Sequence, residues 1–324
     1  MKILILGANG MLGHRAATLL SERHEVVGTV RSPDPLAEAF AQKARLVSGV
    51  SVEDFETVAH VMRDERPDAV VNCIGIVKQK PEAHEAVPSI LANSLFPHQV
   101  AALCAQAGAR FVHVSTDCVF TGSRGGYVES DVPDAADLYG RSKLLGEVTD
   151  VPGTVTVRTS IVGWEIRQPT GVLEWFANQR GSRIAGYTKA IFSGLATSDI
   201  VDVFERLCTE WRDVDGLWHV STELISKYDL LTSLRDALGW DIDIVPTDEP
   251  VIDRSLDSTR FRQRLGAASM GRDGRTARRR ARTLRGSAPV RIGRFDSAPV
   301  GYAKSPVPIG SSSRCSIHNS SGQT

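Results

Sequence analysis

Ile3-Leu4-Ile5-Leu6-Gly7-Ala8-Asn9-Gly10-Met11-Leu12-Gly13 is the stretch that decides the fold. Four consecutive apolar residues run into a G-x-x-G-x-x-G turn, and an amphipathic segment, residues 12–23, follows at once. An apolar run this short, bounded by glycine, predicts a strand buried on both faces. Gly7 allows a tight turn, Gly10 lets the backbone approach a pyrophosphate, and Gly13 permits close packing of helix on strand. The N-terminus of the helix then offers N–H groups and positive potential to phosphates. A glycine triplet alone is a weak signal, and its place between strand and helix gives it weight.

The same rhythm continues downstream. Residues 25–30, 69–73, 110–114 and 154–158 read as further strands, with helical patterns at 12–23, 55–64 and 97–107 between them. Strands alternating with helices predict a doubly wound parallel α/β sheet, a Rossmann domain over residues 1–162. Beyond residue 162 the pattern changes. Helices are expected at 171–179, 198–211 and 226–238, a strand and turn at 183–192, and a strand at 242–246. A short strand at 216–220 is placed to rejoin the sheet, so 196–221 is read with the first domain. Residues 163–195 and 222–265 are read as a smaller, discontinuous substrate-binding lobe.

The net charge of zero hides an asymmetry. Residues 266–324 hold eleven Lys and Arg against two Asp and Glu, leaving 27 basic and 36 acidic residues before them. This Gly/Ser/Arg/Pro-rich tail lacks the apolar content to offset ordering entropy and is expected to be disordered. Advancing the codons of residues 268–277 by one nucleotide can encode Pro-Pro-Trp-Asp-Glu-Met, a plausible helix start, so a shifted reading frame is one origin for it. The neutral balance gives no sign of nucleic-acid or membrane binding. No apolar stretch approaches 18 residues, and no secretory signal is expected. Five scattered cysteines without a C-x-x-C pair argue against a disulfide framework or a zinc site, and a cytoplasmic protein is expected.

Residues with the right chemistry fall at the strand ends. The second strand leads into Arg31, where a site for NAD usually carries an acid. A guanidinium there suits a 2′-phosphate, which favours NADP(H) over NAD(H). Cys73, Ile74 and Gly75 close a later strand at the same sheet edge. Ser115-Thr116-Asp117 follows residues 110–114, so the Thr116 hydroxyl and the Asp117 carboxyl lie at that edge too. Tyr139-Gly140-Arg141-Ser142-Lys143 is Y-x-x-x-K, which puts phenol and ammonium on one helical face. A lysine ammonium there is expected to lower the Tyr139 pKa, so that the phenol can protonate a carbonyl oxygen as hydride arrives. Each motif has a plainer reading when taken singly: a βα turn, a capping Thr, a surface Tyr and Lys.

Taken in order, the motifs GANGMLG (7–13), VNCIG (71–75), NSLFPHQVAALCAQAG (93–108), VSTDCVF (114–120), YGRSKLLGE (139–147) and VRTSIVG (157–163) resemble those of the extended short-chain dehydrogenase/reductases. The likeness is to the dTDP-4-dehydrorhamnose reductase-like group in particular. It implies that Tyr139 is the acid/base, that Lys143 orients the nicotinamide ribose, and that Thr116 stabilises the developing alkoxide. It places Gly7, Asn9, Gly10, Met11, Leu12 and Gly13 in the cofactor pocket, and has Asn93, at the start of its helix, contribute to that pocket or to a proton relay. It puts Thr116, Asp117 and Ile161 against substrate and has Arg158 and Ser160 border the nicotinamide loop. The reaction implied is NAD(P)H-dependent reduction of a nucleotide-linked 4-keto-6-deoxy sugar. An epimerase or dehydratase on the same fold, or a non-catalytic dinucleotide-binding regulatory subunit, is the alternative. A homodimer is compatible with these features.

Three departures from the group fall where sugar and base would be read. Ile161 stands where tryptophan is usual, residues 190–197 read AIFSGLAT, and residues 76–80 lack the customary acids. Trp164, Trp175, Phe176 and Phe192 are expected to form the core of the small lobe, with base stacking as the alternative. Asp253-Arg254-Ser255-Leu256-Asp257 reads as a surface ion-pair turn, with holding of the small lobe or contact of Arg254 to a diphosphate as the other readings.

Overall fold

The computed structural model describes residues 1–41, 43–78, 81–166 and 171–265. The 266–324 tail, with Cys315, and residues 79–80 of the loop after the third predicted strand lie outside them. The first half runs β1 (Lys2–Leu6), α1 (Met11–Leu20), β2 (Glu25–Thr29), α2 (Pro35–Ala41), β3 (Arg45–Val47), α3 (Phe55–Glu65) and β4 (Ala69–Asn72). A helical stretch follows in three parts, α4 (Ala86–Ile90), a π-helical turn Leu91–Leu95 and α5 (Phe96–Ala107), then β5 (Arg110–Thr116). Next come α6 (Leu138–Leu145), β6 (Thr154–Thr159), β7 (Ile161–Val162), α7 (Val172–Ala177), β8 (Arg183–Tyr187), β9 (Ala190–Phe192) and β10 (Leu195–Ala196). The described chain closes with α8 (Thr197–Thr209), β11 (Gly216–His219), β12 (Ile225–Ser226), α9 (Lys227–Leu238), β13 (Asp243–Thr247), β14 (Ile252–Asp253) and α10 (Thr259–Leu265).

Seven strands form one sheet in the order β11-β6-β5-β4-β1-β2-β3. Every neighbouring pair in it is parallel. Alternate residues of each central strand serve opposite cores. Ile3, Ile5, Val71 and Val112 pack with α1 and α8, while Leu4, Leu6, Val70 and Phe111 pack with α3 and α5. Each of these side chains is fully buried, worth roughly 1.5–3 kcal/mol apiece. This two-sided burial is why the strands read as unbroken apolar runs. Strand order reverses between β1 and β4, so the connections leaving them diverge and open a crevice at their carboxyl ends.

The remaining strands are short. β9 sits between β12 and β14, β8 pairs with β13, and β7 pairs with β10. Trp164, Leu173, Phe176, Leu230, Leu234 and Ile244 bury a third core here. Trp164 and Phe176 both pack against Trp240, with ring centroids 6.4 and 5.6 Å apart, and Trp175 and Phe192 lie at the margin of this core. The aromatic group is therefore lobe core.

The 253–257 segment corrects its reading as a surface turn. Ser255 and Leu256 are buried, Leu256 bridges to Tyr127, and Ser255 Oγ accepts from Gly126 N at 2.9 Å. The segment is a strap across the 120–127 loop, because β14 delivers it there from β9. Sequence spacing carries no trace of that distant partner.

Candidate active site

The glycine turn is built as its spacing requires. Gly7 has φ +83°, and a Cβ there would sit 2.8 Å from Ile74 Cγ1. A Cβ on Gly13 would lie 2.0 Å from Gly7 O, so only glycine lets α1 come this close to the end of β1. At Gly10, the N-cap of α1, the sole neighbour of such a Cβ would be Gly7 O at 3.5 Å, which leaves this face of the turn open. Asn9 Nδ2 donates to Asp34 Oδ2 at 3.2 Å, and Asp34 Oδ1 accepts from Ala37 N at 3.2 Å. The buried Asp34 thus ties the glycine turn to α2. Met11 and Leu12 open α1, with Leu12 buried in the core. Arg31 lies just past β2 with its side chain exposed. A helix N-terminus, an open glycine face and a nearby guanidinium fit a dinucleotide phosphate.

Across the crevice, Asn72 Oδ1 accepts from Ile74 N at 3.0 Å and fixes the turn after β4. Cys73 is enclosed enough for burial to push its thiol pKa up to about 12, so it is an inert wall. Asn93 is not at a helix start. It sits inside the π-helical turn, buried, where the extra residue per turn aims its amide at the neighbouring loop. Asn93 Oδ1 accepts from Ile76 N at 2.9 Å, and Nδ2 donates to Ile76 O at 3.0 Å and Ser142 Oγ at 3.2 Å. It therefore clamps the 74–76 loop to α6. A Cβ on Gly75 would lie 3.2 Å from Asn93 Oδ1 and 3.9 Å from Lys143 Nζ.

Thr116 ends β5 and caps the turn after it, accepting from Cys118 N at 3.1 Å and donating to Asp117 Oδ1 at 3.1 Å. α6 starts at Leu138 because Asp137 caps it through Gly140 N at 2.8 Å. A Cβ on Gly140 would meet Cys118 O at 2.3 Å, so this glycine lets α6 lie directly on the 116–118 turn. Tyr139 is brought close to Thr116 by that packing, near enough for the Thr116 hydroxyl to act on the phenol. Lys143 lies one turn further on, buried, with Nζ donating to Val114 O at 2.7 Å.

The electrostatics correct one expectation. Burial raises the Tyr139 pKa well above its usual value, against the weaker opposing effect of the Thr116 hydrogen bond. Loss of water dominates because the half-buried phenol packs against the 116–118 turn. Tyr139 is thus held in its neutral form, the form that donates a proton. Lys143 is itself lowered to about 8 by burial, with Glu147 acting the other way. Burial also raises the Asp117 pKa, with Arg254 as the leading opposing charge and hydrogen bonds from Thr116, Cys118 and Ser160 acting with it. Ile161, half-buried, pairs with Leu195 beside this turn.

Arg158 departs from its expected place. Its side chain is 3% exposed and turns away from the crevice, donating from Nε and Nη2 to Glu147 Oε1 and Oε2 at 2.7 Å each. Ser115 Oγ donates to the same Glu147 Oε1 at 2.7 Å. Arg158 Nη1 lies 3.2 Å from His219 Nε2, and His219 Nδ1 lies 3.0 Å from Tyr127 O. With Nδ1 donating to that carbonyl, Nε2 accepts from the guanidinium, so His219 is neutral. Burial lowers its pKa in agreement. This network ties β5, β6, β11 and the segment after α6 behind the site. Sequence reading missed it, although its Glu and Arg sit within the YGRSKLLGE and VRTSIVG motifs.

No group of three or more His, Cys, Asp or Glu residues among those described could hold a metal ion. No helix among them is long and apolar enough to cross a membrane.

Comparison with known proteins agrees with this fold. The "probable low-salt glycan biosynthesis reductase Agl14" of Haloferax volcanii is 29% identical over 271 residues, covering 76% of this chain and 83% of that one. The "methionine adenosyltransferase 2 subunit beta" of Danio rerio is 26% identical over 251 residues, 74% of each chain. A crystal structure titled as a hypothetical dTDP-4-dehydrorhamnose reductase from Sulfolobus tokodaii superposes with a TM-score of 0.70 and 26% identity, covering 84% of this chain and 98% of that one. The family model described as the RmlD substrate binding domain matches residues 1–251. The chain belongs to that family, within the extended short-chain dehydrogenase/reductases.

Proposed function

We propose that the chain is an NAD(P)H-dependent reductase of a nucleotide-linked 4-keto-6-deoxy sugar. The observation that carries this reading is the junction of three elements at one sheet edge. There the Tyr139 phenol lies by the Thr116 hydroxyl, with Lys143 one turn away and 3.9 Å from the Cβ position of Gly75. Gly7, Asn9, Gly10, Met11, Leu12 and Gly13 would hold the diphosphate of the dinucleotide at the start of α1, with Cys73, Ile74, Gly75 and Asn93 forming the opposite wall. The cofactor supplies the hydride when bound. Arg31 favours NADP(H), because a guanidinium pairs with a 2′-phosphate through charge-assisted hydrogen bonds.

Tyr139 donates its proton to the oxygen of the substrate carbonyl as negative charge develops there. Thr116 holds that oxygen by a hydrogen bond, with Asp117 and Ile161 lining the substrate side. The Lys143 ammonium, fixed on Val114 O, stabilises the phenolate left behind. Similarity to an adenosyltransferase subunit supports a regulatory role as the second reading. Retention of Thr116, Tyr139 and Lys143 together at one sheet edge favours catalysis, since cofactor binding alone needs no proton donor.

The test is NADPH absorbance with dTDP-4-keto-6-deoxy-L-mannose and a panel of related nucleotide sugars. Turnover is expected with a member of the panel, and Tyr139→Phe should lower it by about 10²–10⁴-fold with cofactor affinity retained. Unchanged turnover in that variant would remove Tyr139 from its role.

A further inference from the structure

Both ends of the turn that carries Thr116 rest on one buried guanidinium. Ser115, Arg158 and His219 stand side by side across β5, β6 and β11, as the strand register pairs them. At the near end, Ser115 Oγ donates to Glu147 Oε1, the oxygen that also accepts from Arg158 Nε, each at 2.7 Å. At the far end, Arg158 Cζ lies 5.3 Å from the centroid of the Phe120 ring, within reach of a cation–π attraction. Phe120 also stacks on Tyr127, with ring centroids 4.0 Å apart and planes 6° from parallel. Tyr127 is held in turn at both backbone polar groups: its carbonyl by His219 Nδ1, and its N–H by Ser255 O at 2.9 Å. His219 closes the circuit on Arg158 Nη1.

Residues 116–118 lie between these two anchors. Their own bonds are local, with Cys118 N donating to Thr116 Oγ1 and Phe120 N to Asp117 O. Bonds inside a turn set its shape, whereas its placement over the sheet comes from its ends. The anchors are stiff because Arg158 and Glu147 are both almost wholly buried, where charged hydrogen bonds are short and strong. The arrangement also needs arginine. Two N–H groups on one carboxylate, a third nitrogen on His219 and a flat face over Phe120 call for a planar fork, which a lysine ammonium lacks. A buried ion pair returns little net stability over apolar side chains of the same volume, so stability alone does not explain this one.

We infer that Arg158, acting through Glu147 and Phe120, is a positioning residue for the reaction. It holds the turn after β5 so that the Thr116 hydroxyl meets the reacting oxygen beside Tyr139. This rests on the reductase reading above and deepens it.

The test uses the full-length, NADPH-saturated protein and the nucleotide sugar of the panel that turns over fastest. Arg158→Lys keeps the charge and loses the fork. It should lower kcat by roughly ten- to a hundredfold, as a displacement of about 1 Å does, with KM and NADPH affinity kept. In a Thr116→Val background the same substitution should cost almost nothing, because the hydroxyl it misplaces is already gone. Additive losses in that double variant, or an unchanged kcat in Arg158→Lys, overturn the inference and leave the reductase reading standing. Amide hydrogen exchange adds a readout that needs no turnover: Cys118 and Phe120 should exchange faster in Arg158→Lys while residues 8–13 keep their rates. A wild-type protein that binds NADPH and reduces no sugar removes the reductase reading. Exchange then decides alone, and unaltered rates at 115–120 overturn the inference. If Arg158→Lys fails to bind NADPH, Ser115→Ala, which cuts one anchor and spares the ion pair, replaces it in both measurements.

Discussion

The two sides of the crevice are held together by different forces. The glycine-turn side is closed by backbone approach: Gly13 against Gly7, Gly7 against Ile74, with apolar strands behind. The Tyr139 side is closed by buried polar side chains: Asn93 on Ile76 and Ser142, and Glu147 on Arg158 and Ser115. The first kind of contact fails by steric overlap, the second by desolvated charge. The two sides should therefore respond differently to substitution, to compensation and to pH.

The largest effect on stability is expected on the polar side. Glu147→Leu leaves Arg158 buried without its carboxylate and should lower the unfolding free energy by about 3–5 kcal/mol. The double variant Glu147→Leu with Arg158→Met should recover part of that loss, because the unpaired charge is gone. Denaturant unfolding measures both. No recovery in the double variant would mean that shape, rather than charge, closes this side.

A smaller loss is expected on the glycine side. Gly13→Val forces a side chain against Gly7 O, where even Cβ would lie at 2.0 Å. Overpacking of this kind costs roughly 1–3 kcal/mol. Shifting α1 from β1 should also weaken NADPH binding while the polar network stays intact. Retained NADPH affinity in Gly13→Val would break the proposed link between the α1 turn and the cofactor.

The smallest effect is a pH limb that belongs to the polar side alone. Burial lowers Lys143 to about 8 from 10.5, so its ammonium is lost as pH rises through about 8. Turnover should decline over that range as support for the Tyr139 phenolate disappears, and Lys143→Met should be slower throughout and lack the limb. Stability runs the other way. Between about pH 8 and 10.5 the unfolded chain holds a proton that the folded one has released, so this group makes folding more favourable as pH rises. A rate profile flat across pH 8 would detach Lys143 from the proton step.

The glycine side was readable because its chemistry is local. Strand, turn and helix occupy one continuous stretch, and each glycine answers to a neighbour within that turn or just across the sheet. Tyr139 and Lys143 were readable for a similar reason, since one helical turn sets their spacing. The π-helical turn at Asn93 escaped, because one extra residue in a helix leaves no mark on apolar periodicity. The partner of Arg158 escaped too: Glu147 lies eleven residues away, on a different element.

The sequence by itself determined the parallel sheet, the glycine turn and the spacing of Tyr139 and Lys143 on one helix, because backbone preference and short-range spacing act within single segments. Only the tertiary structure decided the state of those groups. Burial against the 116–118 turn keeps Tyr139 neutral, and it depresses Lys143. It sends Arg158 inward to Glu147 and carries Arg254 across the 120–127 loop. Desolvation and charge pairing depend on what surrounds a side chain in space, and the surrounding residues come from strands far apart in the chain.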